Sequence, residues 1–250
     1  MAFQNHLIAK KFDLIKKFLV ALLSKRGLEI VKKKRNKKSK SFPGYHRLDK
    51  LPDLSSIIDI GVGDEGSPFL YDRFKNAYYI SIDPVSESEY PLRKHLKKDQ
   101  FSFIEKALGV ETGTIELEVS EKLSRTSLYK RTHYDRKSKT TEKRQVQIDT
   151  LDNVLSNYDI KSPSLLKIDT EGSEMDILKG GTVTLGKVDY VVLELPLTQN
   201  FENSYTFTDA ILLMQKNGFE VFQILKAQNR TTDLLFCKSD NPLIHEWAKA

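Results

Sequence analysis

The chain has 250 residues, 39% hydrophobic and 30% charged with a single cysteine, so it can bury a sizeable core as one domain plus an extension and excludes both a disulfide framework and a multi-cysteine metal centre. No apolar run reaches the 18 residues of a membrane-spanning helix, and the amino terminus lacks an apolar h-region with a small-residue cleavage site, so a reducing, cytoplasmic setting is expected. The net charge of +6 is unevenly spread, with fifteen Lys and Arg against three Asp and Glu in residues 1–50 and 25 against 31 in residues 51–250, so the basic character belongs to the extension and is no argument for a nucleic-acid-binding fold.

Residues 6–31 carry Ile8, Phe12, Ile15, Leu19 and Leu22 at helical spacing, with Lys10, Lys11, Lys16, Lys17 and Lys25 largely elsewhere around the helix. The run KKKRNKKSK, Lys32 to Lys40, repels itself and reads as a solvated linker, and Phe42, Pro43 and Gly44 mark a boundary. The expected organisation is therefore a basic amphipathic helix with its linker over residues 1–41 and a domain over 42–250. Two readings of the extension stand open. Its apolar stripe docks on the domain, or residues 6–40 make peripheral contact with an anionic inner-membrane surface or an acidic partner. Nucleic acid is disfavoured, because no aromatic residues interleave the charges.

From Ser56 onward strand and helix patterns alternate. The expected strands are Ile57 to Ile60, Tyr78 to Ile82, Phe101 to Glu105, Leu165 to Ile168, Tyr190 to Leu195, Glu220 to Leu225 and Asp233 to Lys238. Helices are expected over Pro68 to Phe74, Tyr90 to Lys97, Glu174 to Lys179 and Thr208 to Asn217, with Gly218 just past the last. This order predicts an α/β fold with a largely parallel sheet. Residues 111–148 interrupt it, with Ile115 to Val119 and Arg144 to Ile148 reading as paired strands around a charged loop, a β-hairpin-like insertion.

Chemistry is expected where apolar runs stop on carboxylates, because ligands of an open α/β sheet bind at the carboxyl ends of its strands. The segment DIGVGDEGS, Asp59 to Ser67, sets glycines where the backbone must turn tightly and approach a ligand. Gly61, Gly63 and Gly66 satisfy GxGxxG, with no lysine–hydroxyl pair of a P-loop behind them. Asp83 ends the second strand about twenty residues later, where a carboxylate can accept both hydroxyls of a ribose. Its alternative role is to start a turn with Pro84. The third edge is LLKIDTEGSEMDILKG, Leu165 to Gly180, with Asp169 and Glu171 at the strand end; Glu194 ends the next strand.

In this order the segments DIGVGDEGS, IDP, KALG (Lys106 to Gly109), QIDTLDNVL (Gln147 to Leu155), LLKIDTEGSEMDILKG and VVLEL (Val191 to Leu195) resemble the FkbM-type S-adenosylmethionine-dependent methyltransferases, over about residues 56–238. The resemblance implies a Rossmann-like class I sheet with helices on both faces. It also implies that Asp59, Gly61 and Gly63 surround the methionine part of the donor, that Asp83 holds the ribose and that Ala107 borders the adenine. Asp64 and Glu65 depart from the small or amide residues common at their positions, and Asp83 stands where Glu is common.

The expected reaction is O-methylation of a hydroxyl on a glycan or other polar metabolite; a secondary-metabolite hydroxyl or an amine is compatible with the same residues. Asp169 is the leading candidate to orient or deprotonate the acceptor, with Glu171 and Glu194 behind it. The three acids also form a candidate oxygen-rich site for Mg²⁺ or Ca²⁺, while Glu171 or Glu174 has the alternative role of capping the following helix. Arg125 and Ser127 are candidate acceptor contacts, His133 a candidate base or plain surface residue, and Tyr205 and Trp247 candidate sugar-stacking rings or core. A non-catalytic anchoring or scaffold protein on the same fold is the alternative function.

Overall fold

Ser56–Ile60 is buried at all five positions, as a strand covered on both faces must be, and its apolar run accordingly shows no simple alternation. The described residues of this computed structural model are 44–132, 140–227 and 230–247. They belong to the second of two units, Met1–Lys40 and Ser41–Ala250. The helix and linker expected over residues 1–41 and His133 lie outside them, as does the Trp247 side chain.

The strands are β1 (Ser56–Ile60), β2 (Tyr78–Asp83), β3 (Phe101–Glu105), β4 (Ala107–Gly109), β5 (Gly113–Ser120), β6 (Thr140–Thr150), β7 (Ser164–Ile168), β8 (Tyr190–Pro196), β9 (Phe219–Ala227) and β10 (Thr231–Lys238). The helices are α1 (Pro68–Arg73), α2 (Glu89–His95), α3 (Leu151–Val154), α4 (Glu174–Lys179), α5 (Thr182–Lys187), α6 (Phe207–Lys216) and α7 (Pro242–Trp247). Proline begins α1, where its missing N–H is no loss. A capping box closes the start of α6: Thr206 and Asp209 each accept from the other's backbone N–H. The short α3, α5 and α7 and the three-residue β4 went unread in the sequence, because one or two turns or one strand pair leave too little periodicity.

The main sheet has the order β3-β2-β1-β7-β8-β10-β9. Neighbours from β3 through β8 are parallel, while β10 runs antiparallel to both β8 and β9. A dinucleotide-binding sheet of order 3-2-1-4-5-6 would continue in parallel; here a reversed strand sits between β8 and β9. Side chains alternate between two cores. Ile58, Ile60, Leu166 and Leu193 pack on one face with α4 and α6 residues, and Ile57, Tyr79, Leu165 and Val192 pack on the other with α1 and α2 residues.

The predicted insertion is a second sheet of order β4-β6-β5, in which β5 and β6 pair antiparallel with Ile115 opposite Val146. Its loop returns to the main sheet, where Asp64 accepts from the Ser124 backbone N–H at 3.2 Å.

Candidate functional site

Register brings three strand ends together. Ile60 lies opposite Ile82 on one side and Ile168 on the other, so Gly61, Asp83 and Asp169 follow as neighbours. The order of strands reverses at β1, which is the switch point where an open α/β sheet forms its crevice. Gly61 has φ +80°, and a Cβ there would lie 1.8 Å from the Asp169 carbonyl oxygen. Only glycine permits this approach. The resulting cleft has a volume of about 570 Å³ and is lined by Gly61, Gly63, Asp83, Ala107, Asp169, Glu171 and Glu194, with Arg125 and Ser127 of the insertion opposite.

Asp59 is placed differently from the expectation. It is 0% exposed and absent from the cleft wall, to which β1 contributes Ile60 instead. Strand alternation turns its side chain toward α1, where it accepts from Ser67 Oγ at 3.1 Å and Tyr71 Oη at 3.3 Å, and pairs with Lys167 Nζ at 3.2 Å. Asp59 therefore supports the glycine loop from beneath.

Lys167 is the residue that sequence reasoning missed. It lies in register with Asp59, is 4% exposed, lines the cleft, and places its ammonium 3.5 Å from Asp169. Burial alone would lower its pKa, but Asp59 and Asp169 outweigh burial and hold it above the usual lysine range. A lysine inside an otherwise apolar buried strand is itself the signal, since such a charge requires partners.

The DTEG turn is tied down by Glu174, which is 3% exposed and accepts from Thr170 N at 3.0 Å, Gly172 N at 3.1 Å and Tyr205 Oη at 2.7 Å. Glu174 thus takes the loop-binding role, and Tyr205 serves it rather than stacking on a sugar. Glu171 is left to face the cleft with φ +57°, a left-handed conformation uncommon for its residue type. Its carboxylate pairs with Arg131 at 3.0 Å, and Ser127 Oγ donates to its carbonyl at 2.7 Å. Burial pushes the Glu171 carboxyl up to about 7, with Arg131 pulling down and Asp169 pushing up. Burial also raises Glu194, reinforced by Asp169 and Glu171 and opposed by Lys226 at 3.8 Å. Among the described residues no group of three or more His, Cys, Asp or Glu side chains is arranged to hold a metal ion. The candidate Mg²⁺ or Ca²⁺ set is not assembled, since its acids turn toward separate cations.

The family described as the methyltransferase FkbM domain matches residues 59–221, well over half of the chain. The chain belongs to the FkbM methyltransferase family. This FkbM-family protein is an enzyme, and its methyl donor is S-adenosylmethionine. Solved structures it is similar to include magnesium protoporphyrin IX methyltransferase from Synechocystis with bound S-adenosylmethionine, at 11% identity, 78% of this chain, 74% of that chain and a TM-score of 0.44. Another is M. capricolum TrmK with S-adenosylhomocysteine, at 11% identity, 79% of this chain, 68% of that chain and a TM-score of 0.45. A third is precorrin-6y C5,15-methyltransferase from Geobacter metallireducens, at 12% identity, 82% and 93% coverage and a TM-score of 0.44. No curated protein is similar enough to match.

The cleft of the FkbM-family enzyme fits the donor. Its volume lies within the ~300–1,000 Å³ usual for small-molecule sites. Asp83, 7% exposed, accepts from Gly63 N at 3.0 Å and Val85 N at 2.9 Å. Each carboxylate oxygen has a second lone pair, so Asp83 would hold the ribose hydroxyls. Burial raises its carboxyl above the usual range, against the pull of the Gly63 and Val85 N–H groups. Ala107 in β4 would border the adenine. The next strand position but one is Gly109, and neighbouring Lys106 pairs with Asp149 at 2.8 Å, fixing where the insertion leaves the sheet.

Proposed function

We propose that the enzyme methylates a hydroxyl of a glycan or other polar metabolite, using Glu171 as the proton acceptor. The observation that carries this reading is the meeting of the glycine loop, Asp83 and three acids in one cleft. S-adenosylmethionine, which Asp83 and the glycine loop would hold, would supply an electrophilic methyl on a sulfonium and leave as the neutral thioether. The remaining work falls to the chain's own residues. Asp83 and the glycine loop hold the donor in line with the acceptor, and such positioning accounts for much of the rate. Asp169, fixed by Lys167 and with its side chain 39% exposed, orients the acceptor hydroxyl. Glu171, poised near pH 7, takes the proton that the oxygen loses. The sequence favoured Asp169 for that step; burial of Glu171 supports moving the role.

Calorimetry with S-adenosylmethionine and S-adenosylhomocysteine tests the donor half and should give one site per chain. Absence of heat in protein shown to be folded removes the reading. Mass spectrometry of candidate acceptors, looking for a gain of one methyl, tests the other half.

We also propose that residues 6–40 make peripheral contact with anionic membrane, on the strength of the charge excess in residues 1–50. No helix among the described residues is long and apolar enough to cross a membrane.

A further inference from the structure

Glu194 has no part in the methyl transfer proposed above, yet it lines the same cleft. It follows Leu193, which lies opposite Ile168 in the β7–β8 register, so it stands beside Asp169 at one sheet edge. Its neighbours engage one of its two oxygens. Thr231 Oγ1 donates to Oε1 at 3.2 Å, and the Lys226 ammonium lies 3.8 Å from that same atom. Among the described residues nothing hydrogen-bonds to Oε2. The other two acids differ. The Asp169 side chain is 39% exposed and faces Lys167 at 3.5 Å, whereas that of Glu194 is 18% exposed, and Glu171 is paired with Arg131 at 3.0 Å. Glu194 therefore offers the cleft a carboxylate oxygen that is shielded from water and uncommitted.

The order of strands says which part of the donor this oxygen meets. Asp83 ends β2, and the Lys106 N–H donates to its carbonyl at 3.2 Å, which puts Ala107 and Asp83 on one side of the glycine loop. The sheet continues β2-β1-β7-β8. A donor with its ribose at Asp83 and its adenine at Ala107 has its sulfur directed past Gly61, toward the edge that carries Asp169 and Glu194. Neighbouring strands are ~4.8 Å apart, close enough for a charge to be felt where water is excluded. S-adenosylmethionine and S-adenosylhomocysteine differ only in the methyl and in the positive charge that it leaves on sulfur. Contacts to the nucleoside and the amino acid hold both alike, so telling them apart requires a group that reads this charge.

We propose that Glu194 is the residue by which the enzyme tells the sulfonium donor from its neutral thioether product, through the free oxygen that it presents to the cleft. The inference rests on the donor's place in the cleft and is independent of which acid takes the acceptor's proton. Burial, then Asp169 and Glu171, hold the Glu194 carboxyl well above the usual carboxylate range, with Lys226 opposing and Glu174 adding to the rise. Asp233, opposite Glu194 in β10, accepts from the Tyr45 hydroxyl and lies 4.0 Å from the same Lys226 ammonium. A cation held beside this cluster favours its ionised form, so donor binding expels a proton that product binding leaves in place. Reciprocity requires that ionising the group tighten the donor by the same factor. Glu194 is neutral below its pKa and ionised above it, so donor affinity climbs as pH rises while product affinity does not. Once the charge has left the sulfur, Glu194 regains a proton from water, and that part of the hold on the ligand is lost.

Calorimetry of the full chain with S-adenosylmethionine and S-adenosylhomocysteine, each in phosphate and in Tris, counts the protons exchanged, because the two buffers differ in their heat of protonation. The donor should release more protons than the product. Its preference over the product should grow about tenfold from about pH 6 to about pH 8, the equivalent of one pKa unit. Glu194→Gln should remove most of the extra proton release and lower the preference at about pH 8 by about tenfold, with product affinity held within about twofold. Glu194→Asp, which keeps the charge, should retain most of both signals. An unchanged preference and proton count in folded Glu194→Gln overturns the proposal and leaves Glu194 as a partner of Lys226 and Thr231. Signals lost in Glu171→Gln but kept in Glu194→Gln overturn the assignment as well. Should Glu194→Gln fail to fold, the wild-type counts decide, and equal release with the two ligands overturns the proposal. Failure of the folded wild type to bind either ligand overturns the donor reading instead.

Discussion

Glu171 is held where both its backbone and its charge are unfavourable, at φ +57° and with burial as the first cause of its raised pKa. The group is protonated below its pKa of about 7 and ionised above it, and only the ionised form accepts a proton. kcat/KM should therefore rise between pH 6 and 8 and level off above, while Glu171→Gln should flatten that profile and lower kcat by ~10²–10⁴. A profile unchanged by the substitution would move the base to another group. Asp83→Ala removes the charged acceptor for the ribose and should weaken S-adenosylhomocysteine by about ten- to a hundredfold in calorimetry, the equivalent of ~1.5–3 kcal/mol for bonds to a charged group. The positions of Asp83, Asp169, Glu171 and Glu194 at strand ends were legible, because an apolar run that stops on an acid is a local pattern. Which acid is desolvated was not, because Arg131 reaches Glu171 from the insertion loop and Lys226 reaches Glu194 from β9.

Whole elements are placed by register and by caps. The β1–β7 pairing sets Asp59 against Lys167, and the same pairing carries Gly61 to the Asp169 carbonyl. The alternation that buries Ile58 and Ile60 on one core turns Asp59 to the other, out of the cleft. The capping box on α6 lies apart from the donor, and Thr206 lines neither the cleft nor its small neighbouring cavity. Thr206→Ala should cost ~1 kcal/mol, seen as a melting point lowered by about 2–4 °C for a domain of this size, with S-adenosylhomocysteine affinity unchanged. A large loss of affinity would mean that α6 positions the site. The hairpin β5–β6 was readable from its paired apolar runs, with Arg125 and Ser127 of its loop as candidate acceptor contacts, and both line the cleft. What was not readable is how closely that loop meets the glycine turn: a Cβ on Gly63 would come within 2.9 Å of the Ser124 Cα.

Across the whole chain the charge is divided between a basic extension and an acidic remainder. Full-length protein should therefore sediment with vesicles rich in phosphatidylserine at low salt, each basic residue at the surface contributing ~1 kcal/mol. Release as ionic strength rises is the expected result, since these contacts fade over a Debye length of about 10 Å at 0.1 M. Binding that is equal on neutral vesicles and indifferent to salt would instead point to an apolar contact.

By itself the sequence determined the alternation of strands and helices, the glycine turn and the acids at the strand ends, because each is written in neighbouring residues whose spacing obeys a helix or strand period. The tertiary structure decided the reversal of β10, the burial of Asp59 beneath the loop and the raised pKa of Glu171. It also set Tyr45 beside Asp233. These depend on groups far apart in the chain meeting in a medium that excludes water, where a charge is felt strongly and pairing direction leaves no trace in local pattern.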